Sequence, residues 1–239
     1  MKLAVVGYGK MGQLVKKNID DAQGMECVGI ISSEHFKDLI DIKEDIEVVI
    51  DFSHPNNLKM IGTYAEKNPV ALVLATTGYT QEQVRYVEDL ATKVPVVYSA
   101  NFSLGITIFY QMLKQIAPIM RDTFDIEVIE KHHNLKLDAP SGTANMLLKA
   151  IDEDNKFGRV HGRVGNEKRG KEIGVHAIRG GTIVGEHTVM FVGQDEILEI
   201  THQAHSKQIF VNGALTAAQF AIKQQPGLYD MNNVLFGLR

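Results

Sequence analysis

Lys2-Leu3-Ala4-Val5-Val6-Gly7-Tyr8-Gly9-Lys10-Met11-Gly12 is the stretch whose reading decides the fold. An apolar run ends in glycines spaced G-x-G-x-x-G, and Met11, Leu14, Val15 and Ile19 then recur at helical spacing. A strand therefore feeds a tight turn that opens a helix. Gly7 permits the turn, Gly9 lets the backbone approach a pyrophosphate, and Gly12 allows close helix–strand packing. The helix start adds amide donors and a positive dipole for an anion. The motif alone is weak, but in this context Gly7, Tyr8, Gly9, Lys10, Met11 and Gly12 read as a dinucleotide-binding loop; the alternative is a glycine turn without a ligand.

Outward from this loop the pattern repeats. Apolar strand candidates follow at Cys27–Ile31, Val48–Phe52, Val70–Leu74 and Val96–Tyr98, and their continuous Val- and Ile-rich character suits parallel strands covered on both faces. Helical periodicity fills the gaps: Leu58, Ile61 and Ala65, then Val84, Val87 and Ala91, with Thr80 and Gln83 at capping-box spacing. Alternating strands and helices predict an α/β, Rossmann-like, doubly wound parallel sheet. After Asn101 the rhythm changes. Helices are expected over Ile106–Ile116, ending near Pro118, and around Ala144–Ile151; strands over Phe124–His132, Ile173–Ile178, Thr182–Val192 and Ile197–Gln203. Gly158 to Lys171 reads as an exposed loop, and the Gly193-Gln194 turn makes the last two strands a hairpin. The expected organisation is a dinucleotide-binding domain of residues 1–102 plus about 206–239, and an α+β domain with an open mixed sheet, residues 103–205, for substrate binding and oligomerisation.

Composition is that of an ordinary soluble globular protein: 239 residues, 44% hydrophobic, 23% charged. A net charge of -4 gives no sign of a nucleic-acid partner. No apolar run approaches the roughly 20 residues of a membrane span. The start Met1-Lys2 runs straight into a strand without the features of a signal peptide, and the single cysteine, Cys27, suits a reducing compartment, so a cytoplasmic location is expected.

Specificity for the adenosine ribose should lie just after the second strand, where an acidic residue would bond the 2′-hydroxyl of NAD. Ser32-Ser33 stands there instead, followed by Glu34, His35 and Lys37. The missing carboxylate leaves room for a 2′-phosphate met by Lys10, Ser32, Ser33 or Lys37, while Glu34 could swing in for NADH. Use of both cofactors is expected, with a lean toward NADPH. Ala75-Thr76-Thr77-Gly78 and Ala100-Asn101-Phe102-Ser103 follow strands four and five, at the carboxyl edge where open α/β sheets bind ligands. Thr76, Thr77, Gly78, Ala100, Asn101 and Phe102 are candidate nicotinamide contacts; ordinary strand-ending turns are the alternative.

The segment Glu130-Lys131-His132-His133-Asn134-Leu135-Lys136-Leu137-Asp138-Ala139-Pro140-Ser141-Gly142-Thr143 concentrates the remaining chemistry. Neighbouring side chains on a strand face opposite ways, so His132 and His133 line one cleft only if the strand ends there. Glu130 shares the His132 face and could fix its tautomer. Lys136 adds a cation: a neighbouring cation lowers a histidine's proton affinity and an arriving carboxylate raises it, which suits a group that takes up a proton as an acidic substrate binds. Ser141 or Thr143 is a natural N-cap, and the helix start beyond it is an anion site. A zinc pair or a solvated loop are the bland alternatives; no third or fourth ligand is evident, so no metal is expected.

That segment resembles the signature of dihydrodipicolinate reductases (4-hydroxy-tetrahydrodipicolinate reductases). The likeness extends over nearly the whole chain, through Gly7–Gly12, Asp51-Phe52-Ser53, Ala75–Gly78, Ala100–Ser103 and Ile178–His187. It implies NAD(P)H-dependent reduction of an unsaturated cyclic dicarboxylate to tetrahydrodipicolinate, in the diaminopimelate route to lysine. It further implies that His132 donates the proton with help from Lys136. His133, Lys136, Ser141, Gly142 and Thr143 would hold the substrate carboxylates, and members are commonly homotetramers built through the second domain's sheet. Arg179 is a further anion-contact candidate, with a salt-bridged surface arginine the equal alternative. Two departures stand out: Ser32-Ser33 replaces an acidic position found in some members, and the segment between Ile151 and Arg163 is short. Competing readings are another nicotinamide-linked reductase of a small amino or keto acid, which has no need of this segment, and a redox sensor, which would want a basic recognition element.

Overall fold

The computed structural model describes residues 1–237. The chain divides into two compact units, Met1–Leu104 with the chain from Gln208 on, and Gly105–Lys207.

In the first unit, β1 (Lys2–Val6), β2 (Glu26–Ile31), β3 (Val48–Asp51), β4 (Ala71–Leu74), β5 (Pro95–Tyr98) and β11 (Gly227–Tyr229) form one parallel sheet in the order β11-β5-β4-β3-β1-β2. Alternate side chains enter two cores. Ala4, Val6, Val49, Leu72 and Leu74 pack under α2 (Leu58–Ala65) and α3 (Gln81–Ala91). Leu3, Val5, Val48, Ile50 and Val73 pack under α1 (Lys10–Asp21), α6 (Gln208–Ala221) and α7 (Met231–Phe236). Each such Val, Leu or Ile contributes about 1.5–3 kcal/mol by leaving water, which explains strands apolar on both faces.

In the second unit, β6 (Asp125–His132), β7 (Gly158–His161), β8 (Glu172–Arg179), β9 (Gly185–Val192) and β10 (Ile197–Ala204) form a mixed sheet in the order β10-β9-β6-β8-β7. The central β6 is antiparallel to β9 and parallel to β8. Ile126 and Val128 of β6, Val175 of β8, and Val189 and Phe191 of β9 pack with Ile106, Phe109 and Leu113 of α4 (Leu104–Met120) and Leu147, Leu148 and Ile151 of α5 (Gly142–Ile151). Opposite parity places Ile129, Lys131 and Met190 on the other face, half-buried.

Several elements differ from expectation. Helix α4 passes Pro118: only one donor is lost, and the amides of Arg121 and Phe124 return to Ala117 O and Met120 O. The stretch read as a loop from Gly158 contains β7, an edge strand that exists through its pairing with β8. Strand β9 starts at Gly185 rather than Thr182, because Gly180–Thr182 turn the chain after β8. Strand β11 and helix α7 carried no expectation; three and six residues long, they are too short for periodicity to register. The short link after α5 is tied by Asp152, fully buried, whose carboxylate accepts from the amides of Lys156 (2.9 Å) and Phe157 (3.0 Å).

Candidate active site

Because every strand of the first sheet is parallel, the segments after β1, β2, β4 and β5 share its carboxyl edge. Gly7 has φ +93°, a conformation that strains any side chain, and its amide bonds Ile31 O at 2.9 Å. A Cβ on Gly12 would sit 1.9 Å from Gly7 O, so this glycine lets the loop fold onto its own helix. Gly9, by contrast, has nothing within 4 Å of a built Cβ. It forms the N-cap of α1 with no side-chain cap, leaving an open backbone surface at a helix start. A cavity of about 550 Å³ adjoins it, lined by Gly7, Tyr8, Gly9, Ser32, Ser33 and Lys37 among others. Such a glycine cradle fits a dinucleotide pyrophosphate. Lys10 is exposed beside it, whereas the Met11 side chain packs into the core and Tyr8 stands edge-on to His35.

Around the ribose position, the Ser32 hydroxyl pairs with His35 Nδ1 at 2.8 Å and accepts from the amides of Glu34 and His35. Lys37 folds back onto the carbonyls of Ser32 and Ser33. Thr76 is buried, Thr77 and Gly78 are exposed, and Gly78 turns at φ +83°. Ala100 is exposed and Asn101 half-buried, while Phe102 lies in the core against α6: a Cβ on Gly213 would be 1.6 Å from Phe102 O. Sequence reasoning gave no role to Asp51. It is fully buried at the end of β3 and accepts from Ser53 N (3.1 Å), Ser53 Oγ (2.5 Å) and Tyr79 OH (3.1 Å), and Thr76 Oγ1 bonds the same Ser53 amide at 2.9 Å. Burial pushes the Asp51 carboxyl up against these bonds. This network stitches the turn after β4 to the end of β3.

In the second unit His132 is the last residue of β6 and faces the core side with Glu130. Its Nδ1 lies 2.6 Å from Glu130 Oε2. Glu130 has no exposure, and each of its oxygens receives two donors: Oε2 from His132 and Arg179 Nη1 (2.7 Å), Oε1 from Arg179 Nη2 (2.7 Å) and Ser141 N (3.0 Å). Burial alone would raise this carboxyl; the hydrogen bonds of Arg179 and His132 outweigh it and hold it below the usual range. An ionised Glu130 assigns the Nδ1 proton to His132 and leaves Nε2, which has no protein partner among the described residues, as the reactive nitrogen.

The strand does end here: Asn134 N bonds Gly181 O, and the chain turns away. His133 is consequently exposed rather than held beside His132. Lys136, half-buried, pairs with Asp138 at 2.7 Å, and that bond holds the Asp138 carboxyl low. Ser141 is the N-cap of α5, its hydroxyl accepting from Ala144 N at 3.1 Å, and it is buried; Gly142 is exposed and Thr143 half-buried at the first turn. The hydroxyl of Ser141 also pairs with His187 Nε2 at 3.0 Å. His187 had no predicted role. It stands edge-on to His132, ring centroids 5.2 Å apart, and burial together with the nearby His132 pushes it down to about 4. The signal was present in the alternation His187, Val189, Phe191, which puts the imidazole on the apolar face of β9.

Among the described residues no group of three or more His, Cys, Asp or Glu could hold a metal, and no helix is long and apolar enough to cross a membrane. A doubly wound parallel sheet with a glycine cradle, joined to a mixed-sheet unit with a buried carboxylate–imidazole pair, defines the class: an NAD(P)H-dependent oxidoreductase of two domains. Comparison with known proteins carries this further. Residues 1–102 match the family model for the dihydrodipicolinate reductase N-terminus, and residues 105–235 that for its C-terminus. A 4-hydroxy-tetrahydrodipicolinate reductase of Caldanaerobacter subterraneus subsp. tengcongensis is 42% identical over 238 residues, covering 95% of this chain and 94% of the relative. That of Brachyspira hyodysenteriae is 42% identical, covering 98% of this chain and all of the relative. A solved structure, dipicolinate-bound dihydrodipicolinate reductase from Paenisporosarcina sp. TG-14, shares the fold with a TM-score of 0.81 at 24% identity, over 98% of this chain and 99% of that one. The chain belongs to the dihydrodipicolinate reductase family.

Proposed function

We propose that this chain reduces 4-hydroxy-tetrahydrodipicolinate (dihydrodipicolinate) to tetrahydrodipicolinate with NAD(P)H, in the cytoplasmic diaminopimelate route to lysine. The observation that carries the reading is His132, its Nδ1 fixed by a buried, ionised Glu130 and its Nε2 without a protein partner, next to the N-terminus of α5. Bound NAD(P)H would supply the hydride. His132 delivers the proton that quenches the negative charge developing on the ring. When the substrate is the 4-hydroxy form, one water leaves to balance the atoms. Lys136 and the start of α5, at Gly142 and Thr143, provide positive potential for the two carboxylates, with His133 as a further contact. Ser141 contributes by building that helix start, since its hydroxyl already serves Ala144 N and His187.

Gly7, Tyr8, Gly9, Lys10, Met11 and Gly12 would cradle the pyrophosphate, and Thr76, Thr77, Gly78, Ala100, Asn101 and Phe102 would frame the nicotinamide from the same sheet edge. Both NADPH and NADH would be used, NADPH preferred, because Ser32, Ser33 and Lys37 line the cavity where a 2′-phosphate would sit, while Glu34, which lines it too, could meet the 2′-hydroxyl of NADH. The chain would assemble as a homotetramer through the face of the second sheet that carries Ile129, Met190, Ile178 and Ile197, the last two 45% and 60% exposed.

The deciding experiment follows NADPH and NADH oxidation with freshly generated substrate. Wild type should turn over, and His132→Gln should lose about 100-fold or more, the usual contribution of a positioned acid. Absent turnover by wild type, or full turnover by the variant, would sink the reading.

A further inference from the structure

Arg179, at the end of β8, stands where a substrate clamp could: a guanidinium beside the proposed proton donor of an enzyme for a dicarboxylate. Its hydrogen bonds contradict that role. Nη1 donates to Glu130 Oε2 and to its neighbour's carbonyl, Ile178 O (2.8 Å). Nη2 donates to Glu130 Oε1 and to Asp138 O (2.6 Å). The whole planar fork, the geometry that makes arginine a bidentate carboxylate binder, is therefore spent inside the protein. Only Nε, itself buried, is left without a partner. A single buried N–H cannot grasp a carboxylate in the two-point manner, and freeing the fork would strip a buried anion of half its donors.

We infer that Arg179 is a positioning residue: it acts on the reaction through Glu130 and the Asp138 carbonyl, and does not hold a substrate carboxylate. The inference rests on the proposed role of His132. Two consequences belong to it. First, the guanidinium neutralises much of the charge that Glu130 presents to His132, so removing it would leave the imidazole facing an uncompensated buried carboxylate. The charged and titratable groups around the His132–His187 pair are Glu130 on the same strand as His132, Arg179 on β8, His202 on β10 opposite His187, and Lys136 with Asp138 in the turn; among them Arg179 alone grips Glu130 from the far side. Second, one guanidinium joins β8 to the backbone carbonyl of Asp138, so the end of β8 and the turn after β6 are held together around Glu130.

The test compares Arg179→Gln and Arg179→Lys with wild type. A positioning role predicts that in Arg179→Gln the alkaline limb of the kcat/KM pH profile moves up by about one unit, as removal of a neighbouring positive charge demands. The ring-nitrogen titration of His132, followed by NMR in the ligand-free protein, should move with it. KM should change less than about threefold while kcat falls. Arg179→Lys keeps the charge on Glu130, so it should leave the His132 titration within about a third of a unit of wild type. A KM raised about tenfold or more in both variants, with the His132 titration unmoved, would overturn the inference and make Arg179 a substrate ligand. Should the Gln variant not fold, the Lys variant decides alone, because a lysine cannot restore a two-point grip: a tenfold KM rise counts against the inference, an unchanged KM for it. The NMR reading needs no substrate, so it stands even if the proposed reaction were wrong, and failure of wild-type turnover would sink that reaction without touching it.

Discussion

A buried imidazole that is kept neutral leaves a signature in stability. His187 falls from its ordinary value to about 4 on folding. The unfolded chain therefore binds a proton near pH 6.5 that the folded chain refuses until about pH 4, so stability is full above pH 6.5 and declines as the pH falls toward 4. The shift corresponds to about 3 kcal/mol as an upper bound. Urea denaturation at pH 7 and pH 4.5 should show this loss in wild type and a smaller one in His187→Gln; parallel losses in the two proteins would refute the assignment. Ser141→Ala should cost about 1 kcal/mol for the missing N-cap, plus a share for leaving His187 Nε2 unpaired. At this scale the sequence was partly legible. Glu130 and His132 share a strand face by simple alternation, so their pairing could be anticipated. The partner that saturates Glu130 comes from 49 residues downstream, set by the register His132 opposite Arg179 on β8, which no local pattern reports.

Two glycines of one loop separate folding from binding. Gly12→Ala places a methyl 1.9 Å from a backbone oxygen, which cannot yield as a flexible side chain would. Overpacking of this kind should cost about 2 kcal/mol or more and lower Tm. Gly9→Ala meets no protein atom within 4 Å, and its φ of -73° suits any residue. That variant should keep the wild-type Tm while its Kd for NADPH, measured by cofactor fluorescence, rises about tenfold or more. If both variants bind normally, the loop is a turn and nothing else. The same contrast explains which elements were readable. Strands β1, β3 and β4 are buried on both faces and announce themselves as unbroken apolar runs, and α3 declares its start by the Thr80–Gln83 capping box. Strand β7 sits at a sheet edge in a Gly-, Arg- and Lys-rich stretch, and β11 is three residues long; each is a strand because a neighbour offers unpaired backbone groups. Tertiary pairing, not local propensity, decides such elements.

For the molecule as a whole, the exposed apolar residues of the second sheet carry the assembly proposal. Met190→Glu or Ile178→Asp alters a side chain that points away from the core of its own unit. Either change should leave the fold intact and shift the sedimentation coefficient from a tetramer toward smaller species; a wild-type protein that sediments as a monomer would refute the assembly. The course of the chain through the two units has a consequence of another kind. The second unit is continuous, residues 105–207, whereas the first sheet and its covering layer wait for α6 and β11, which follow the second unit in the chain. During synthesis on the ribosome, Val211, Ala214, Ala217, Ala218 and Ala221 are still unmade when the strands they shield have already emerged. One face of β3, β4 and β5 then stays uncovered until α6 has emerged. The central unit can be finished first, and the nascent first unit is the stage at which this protein would most need a chaperone.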